Sequence, residues 1–342
     1  MNRSVIDVEH KPAASANRWF SRAQREGSPW RGLGIVFLKE LADNLSSARM
    51  LVLEFLMVLF GAVVVYIAAE QLREGTAEDP FLFMRLFAPP REPLLTFVTV
   101  ISILVPLMAI GLGFDAINGE HNRRTLSRIL AQPIYRDALL LGKFLAALAT
   151  LTISLVILWL LVIGFGLVRL GIPPNGEELA RALVFLLVTV CYAGVWLALA
   201  MLFSVVFRAP ATAALTTLGL WLFFALLWPA LARPIAELIA PPDIRYLMLG
   251  LPTPDTLMWQ IALARLSPGT LYSEAITAIL NPETRALGPL FLDQLQGMVR
   301  GAPLPFWESV GLAWPQIVAL IAATILLFVV GYILFQRQEV RA

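Results

Sequence analysis

Cysteine and histidine are nearly missing from this chain, and charge is scarce. A single cysteine, Cys191, stands among 342 residues, which excludes an internal disulfide and a multi-cysteine metal cage. It lies inside an apolar run, where it reads as a small hydrophobe. The two histidines, His10 and His121, are far apart and lack His-Glu-x-x-His spacing, so neither a histidine zinc site nor a histidine-based triad is expected. No phosphate loop is present: Gly142 and Lys143 form the one Gly-Lys pair, Phe144 follows them, and the upstream glycine is lacking. Gly111, Gly113 and Ala116 imitate half a dinucleotide fingerprint, yet they close an apolar run instead of following a strand. No cofactor and no metal is therefore expected in this chain. The first thirty residues hold no apolar core of signal-peptide length, so no cleavable leader is expected.

What is abundant is apolar surface. Hydrophobic residues make up 58% of the chain, charged residues 15%, and the mean hydropathy is +0.76. Soluble domains sit near ~45–50% apolar and about 25% charged. The composition predicts an all-α polytopic membrane protein. A spanning helix needs about 20 mostly apolar residues, and six runs qualify: 50–69, 94–114, 139–168, 182–207, 211–231 and 315–335. Pro106 and Pro229 could kink the second and fifth.

An even count puts both termini on one side. With the termini inside, cytoplasmic segments hold 16 of the 26 Lys and Arg residues, and the reverse orientation would invert that bias. The expected layout is a basic tail over 1–31, expected to be disordered, a six-span domain over 32–335 and a short cytoplasmic tail over 336–342. Residues 32–48 place Ile35, Leu38, Leu41 and Leu45 on one face, which predicts an interfacial helix. The 232–314 stretch is too long for a simple connector. Within it Leu257, Met258, Ile261 and Ala262, after Asp255 as N-cap, predict one short amphipathic helix. Leu271, Ala275, Ile276 and Ile279 predict another. Both are expected to lie on or dip into the outer leaflet.

Ionisable groups inside the spans are few. Glu54, one turn beyond Arg49, is the clearest, and it reads either as a partner of Arg49 near the interface or as a substrate-path residue.

The stretch 119–143 breaks the apolar pattern with five Lys and Arg residues. Read as a helix, 121–131 puts Leu126, Ile129 and Leu130 on one face, with Arg124 and Arg128 one turn apart and Arg123 beside them. Pro133 stops it. A lipid-touching basic loop explains the charge alone. An apolar stripe headed by Glu120 fits docking into a groove on a protein partner.

On these residues the stretch resembles the transmission segment of the type-2 ABC transporter permease family. The match falls at Glu120, Thr125, Leu126, Ile129, Leu130, Pro133, Ile134, Arg136, Leu140, Leu141, Gly142 and Lys143. It departs at Arg124, where the family carries Gly, so the turn there is expected to be less tight. Lys39, Glu40 and Leu41 resemble the family's interfacial helix. The run from Leu266 to Ala275 and the tail from Phe335 to Glu339 resemble a branch that includes the permease of the nitrous oxide reductase maturation transporter.

The resemblance implies six spans, a dimer with a second copy or a paralogue, and a separate cytoplasmic ABC ATPase that holds ATP and Mg. It implies ATPase docking by the coupling segment 119–137, through Glu120, Arg124, Thr125, Leu126, Arg128, Ile129 and Leu130. It also places Glu54 at the cytoplasmic end of the substrate path. The expected function is an exporter permease in the inner membrane. Alternatives are a permease for a metal or sulfur species serving an extracytoplasmic metalloenzyme, and a non-transporting scaffold. A membrane enzyme would have to use Asp115, Glu120 and His121, which no known catalytic spacing joins. Lipids and the ATPase are the expected contacts, not nucleic acid.

Overall fold

The computed structural model describes residues 29–73, 81–87, 96–122, 136–171, 173–248, 253–285, 287 and 303–337. Residues 1–28, 123–135, 288–302 and 338–342 lie outside them. So do the sequence readings placed there, the N-terminal tail and six of the seven docking residues (Arg124, Thr125, Leu126, Arg128, Ile129 and Leu130) among them. All regular elements among the described residues are helical.

Six helical stretches are long and apolar enough to cross a membrane: Ala48–Leu72, Phe97–Glu120, Asp137–Leu170, Gly176–Val206, Pro210–Ile239 and Phe306–Arg337. The elements carrying them are α2 (Ala48–Arg73), α3 (Phe97–Gly113), α5 (Arg136–Leu170), α6 (Gly176–Val206), α7 with α8 (Pro210–Leu222, Trp228–Ile239) and α12 (Phe306–Arg337). Before them runs α1 (Pro29–Leu45), and the short α4 (Asn118–Asn122) follows α3. Between α8 and α12 lie α9 (Ile244–Met248), α10 (Pro254–Ala264) and α11 (Pro268–Leu280).

Helix α6 extends past its apolar run because polar residues cap it. Asn175 accepts a hydrogen bond from the Glu178 amide, and the Glu178 carboxylate reaches back to the Asn175 amide. This capping box starts α6 at Gly176, ahead of the apolar run that begins at 182. The other Glu178 oxygen accepts from the Phe83 amide at 2.9 Å and ties residues 81–87 to the bundle. In the fifth span a π-helical turn, Phe223–Leu227, separates α7 from α8. Pro229 has no amide to donate, and the π turn takes up the break with a Trp228 amide bond to the Phe223 carbonyl. Pro106 sits inside a continuous α3.

The hub is α6, which packs against α3, α5, α7, α11 and α12. It can do so because one stretch of it alternates small and large residues: Ala193, Ala198 and Ala200 are buried beside Tyr192, Trp196 and Leu197. Gly113 of α3 meets this surface, where an added Cβ would lie 2.7 Å from the Ala200 Cβ. Small residues give membrane helices their close approach. The fifth span, by contrast, buries the smallest share of its apolar window among the six spans in the single chain.

Helix α11 differs from the sequence expectation. It does not lie at the periphery but packs between α6 and α12. Tyr272 stacks on Tyr192 at 4.3 Å with an 11° tilt, and its hydroxyl pairs with that of Thr189. Burial pushes the Tyr272 phenol well above its ordinary pKa, so it stays neutral in this core. The apolar face made by Ala275, Ile276 and Ile279 is thus buried against spans, not lipid. Arg181 holds the arrangement. Fully buried, it donates to Glu177, to the Ile279 and Leu304 carbonyls and to the Ser309 hydroxyl. Helix α10 is more peripheral, with Met258 and Trp259 exposed, and Thr253, not Asp255, stands at its N-cap.

Candidate functional site

At the end of the bundle opposite α11, three elements distant in sequence converge. Helix α1 stops at Leu45, where the Ser46 hydroxyl bonds back to the Ala42 carbonyl at 2.7 Å. The Ser47 hydroxyl then accepts from the Met50 amide at 3.2 Å, an N-cap bond that starts α2 on a new axis. Freed from α2, α1 lies along the beginning of α5. Gly142 makes that possible: a Cβ there would sit 2.8 Å from the Val36 side chain.

The next residue fastens the contact. The Lys143 ammonium donates to Glu40 of α1 at 2.9 Å and to Glu120 of α4 at 2.7 Å. Only 6% of the Lys143 side chain is exposed, and the two carboxylates are largely covered. A lysine withdrawn this far from water is retained only with its partners in place. On the rim Lys39 pairs with Glu40 at 3.0 Å and Asp43 at 3.1 Å. Partial burial lowers the Lys39 pKa, but the hydrogen bonds to Glu40 and Asp43 outweigh it and the net shift is upward. This stabilisation is fully present below the ordinary lysine value and is lost only as pH climbs through the raised one, so Lys39 is no switch near neutrality.

The turn between α3 and α4 is pinned from a second side. The amides of Ile117 and Asn118 donate to the Ser204 hydroxyl at 3.0 and 3.3 Å. The amide groups of Asn118 and Asn122 donate to the carbonyls of Phe207 and Arg208, both at 3.2 Å. Arg49, at the start of α2, bonds Asp115 at 2.8 Å and stacks over Phe114 at 5.4 Å. The Gln336 side chain of α12 bonds Asp137 at the start of α5. Between α1, α2 and α4 these groups leave a cleft of about 530 Å³.

Of the docking residues read from sequence, the structure places Glu120, at the point where the coupling segment begins; the other six lie beyond the described residues. Glu54 is placed inside the protomer. Both its carboxylate oxygens are buried and have no hydrogen-bond partner among the described residues. Arg49 is committed to Asp115, which removes the reading in which it pairs with Glu54. Asp115 and Glu120 go to different cations, so they do not converge on one reacting centre. Sequence reasoning saw Glu40 and Lys143 only as motif letters and missed that they share an ion pair. Nothing local signals this, because the partners lie on separate helices.

Lys143→Met should leave Glu40 and Glu120 facing each other without their cation. The expected cost is about 3 kcal/mol or more, read as a lowered thermal midpoint in detergent together with faster proteolysis of α1. An unchanged midpoint would show that the pairing carries no stability.

Residues 35–340 match the family described as ABC-2 family transporter protein. The probable ABC transporter permease protein NosY of Pseudomonas aeruginosa is 31% identical over 231 residues, covering 63% of this chain and 76% of that protein. The protein of the same description from Stutzerimonas stutzeri is 26% identical over 307 residues, covering 88% of this chain and 96% of that protein. With six helices long and apolar enough to cross a membrane and a family match along nearly its whole length, the chain belongs to the ABC-2 transporter family and is a multi-pass permease subunit.

Proposed function

We propose that this permease is driven by a separate ATPase subunit that docks on residues 119–137, and that it works as an exporter. The observation that carries the reading is the Lys143 ion pair. It joins Glu120, where the docking segment begins, to α1 and to the third span in one contact. Motion delivered to that segment would reach three elements at once, as a rigid-body transition requires. ATP and Mg belong to the partner, and this chain contributes motion and a path, not catalysis. The basic bias of one set of loops supports termini in the cytoplasm and a place in the inner membrane.

The exposed fifth span supports a second permease copy or a paralogue as its cover. Glu54 fits a path residue, because an unpaired carboxylate in a membrane helix lowers stability and is kept for function. The branch pattern at 266–275 favours a metal or sulfur species for an extracytoplasmic metalloenzyme as the alternative cargo.

Replacing both Leu126 and Ile129 with Asp tests the docking. Two unpaired charges in the groove would cost roughly several kcal/mol, so the ATPase should no longer copurify with a chain that still inserts. Full ATPase recovery would overturn the assignment. Glu54→Leu should raise thermal stability by about 1–3 kcal/mol while abolishing ATP-driven transport in vesicles. A destabilised variant that still transports would remove Glu54 from the path.

A further inference from the structure

The turn between α3 and α4 is bonded to more than the end of α6. Its two asparagines reach the link that begins the fifth span. Helix α6 ends at Val206 and α7 starts at Pro210, so three residues, 207 to 209, join them. Phe207 and Ala209 are extended, at φ −97°, ψ 133° and φ −92°, ψ 122°. A proline disfavours helix at the residue before it and presets the first residue of the helix it starts. Stretched between α6 and Pro210, the link has little slack. A displacement of Phe207 and Arg208 carries the start of the fifth span with it.

Helix α4 holds this link on one face and the Lys143 contact on the other. Asn118 and Asn122 stand one turn apart with Glu120 midway between them. Positions i and i+4 of a helix share a face that i+2 does not. The amide groups of Asn118 and Asn122 donate to the Phe207 and Arg208 carbonyls, both at 3.2 Å. Glu120 goes the other way, to Lys143. The buried Ser204 hydroxyl takes the Ile117 and Asn118 amides and keeps the short helix in register with the link. The inner half of the fifth span offers modest resistance: its buried residues are Ala213, Thr217 and Trp221.

We infer that Asn118 and Asn122 are positioning residues that pass motion of the docking segment to the fifth span. Lys143 passes the same motion to α1 and the third span, so α4 divides one input between two routes. The inference rests on the proposed docking of an ATPase at 119–137 and extends it to a span that Lys143 does not touch.

The test uses the isolated permease–ATPase complex, with Cys191→Ser and Thr212→Cys in the permease. Thr212 is an exposed residue in the first turn of α7. The rate of its modification by a water-soluble maleimide is compared with and without a non-hydrolysable ATP analogue. In this parent chain nucleotide should change the rate about tenfold, the scale of coupling between distant sites. Asn118→Ala with Asn122→Ala should bring that ratio close to one. Pro210→Gly, which slackens the link and leaves both asparagines in place, should lower it as well. A merely structural role would shift the rate without nucleotide and keep the ratio. An unchanged ratio in the double variant would overturn the proposal and leave docking intact. So would a parent complex with no nucleotide effect at Thr212, or a double variant that forms no complex, which would make the asparagines docking residues. If the parent itself binds no ATPase, the docking reading fails and this inference fails with it.

Discussion

An ammonium group at the edge of an apolar bundle must have its counter-charges brought to it, and Lys143 has two. One carboxylate comes from the helix ahead of the first span, the other from the turn after the second. Much of the arrangement at this end follows from that demand. Gly142 lets α1 approach and Lys143 pins it, so two adjacent residues supply the space and the bond. Ser204, Asn118 and Asn122 then carry the fastening on to the end of α6.

The far end solves a similar problem with another buried cation and different acceptors. There Arg181 is the buried cation, and most of its acceptors are backbone carbonyls and a hydroxyl instead of carboxylates. It holds the connection between the fifth and sixth spans against the hub, with α11 wedged beside it. The two ends are thus fixed by polar clamps on a common helix, α6, whose middle is small-residue and aromatic packing. The fifth span is left outside this scheme, as expected of an element whose partner is lipid or another chain.

Apolar runs made the six spans legible, because a bilayer forces a spanning backbone to satisfy itself within a helix. Capping was less visible: the Asn175–Glu178 box lengthens α6 through residues that lie ahead of the 182–207 apolar run. The face of α11 was read correctly as apolar but assigned the wrong neighbour, since periodicity cannot distinguish lipid from a tyrosine stack. At the candidate site Glu120 and Glu54 stood out as charges in unusual places. The partner of Glu120 did not, because the contacts from Lys143 to Glu120 and Glu40, like the one from Arg49 to Asp115, join helices that only the folded bundle brings together.

Fastened by Lys143, α1, the turn at Glu120 and the start of the third span should move as one body. Pulsed electron resonance measures it directly, with spin labels at the exposed positions Leu38 and Asn122, in a chain whose Cys191 is replaced by serine. The reconstituted permease–ATPase complex would be compared with and without a non-hydrolysable ATP analogue. One narrow distance that nucleotide does not change is expected, and a broadened one when Lys143→Met is added. A distance that shifts with nucleotide in the chain retaining Lys143 would contradict it, because the helix and the turn would then be moving apart.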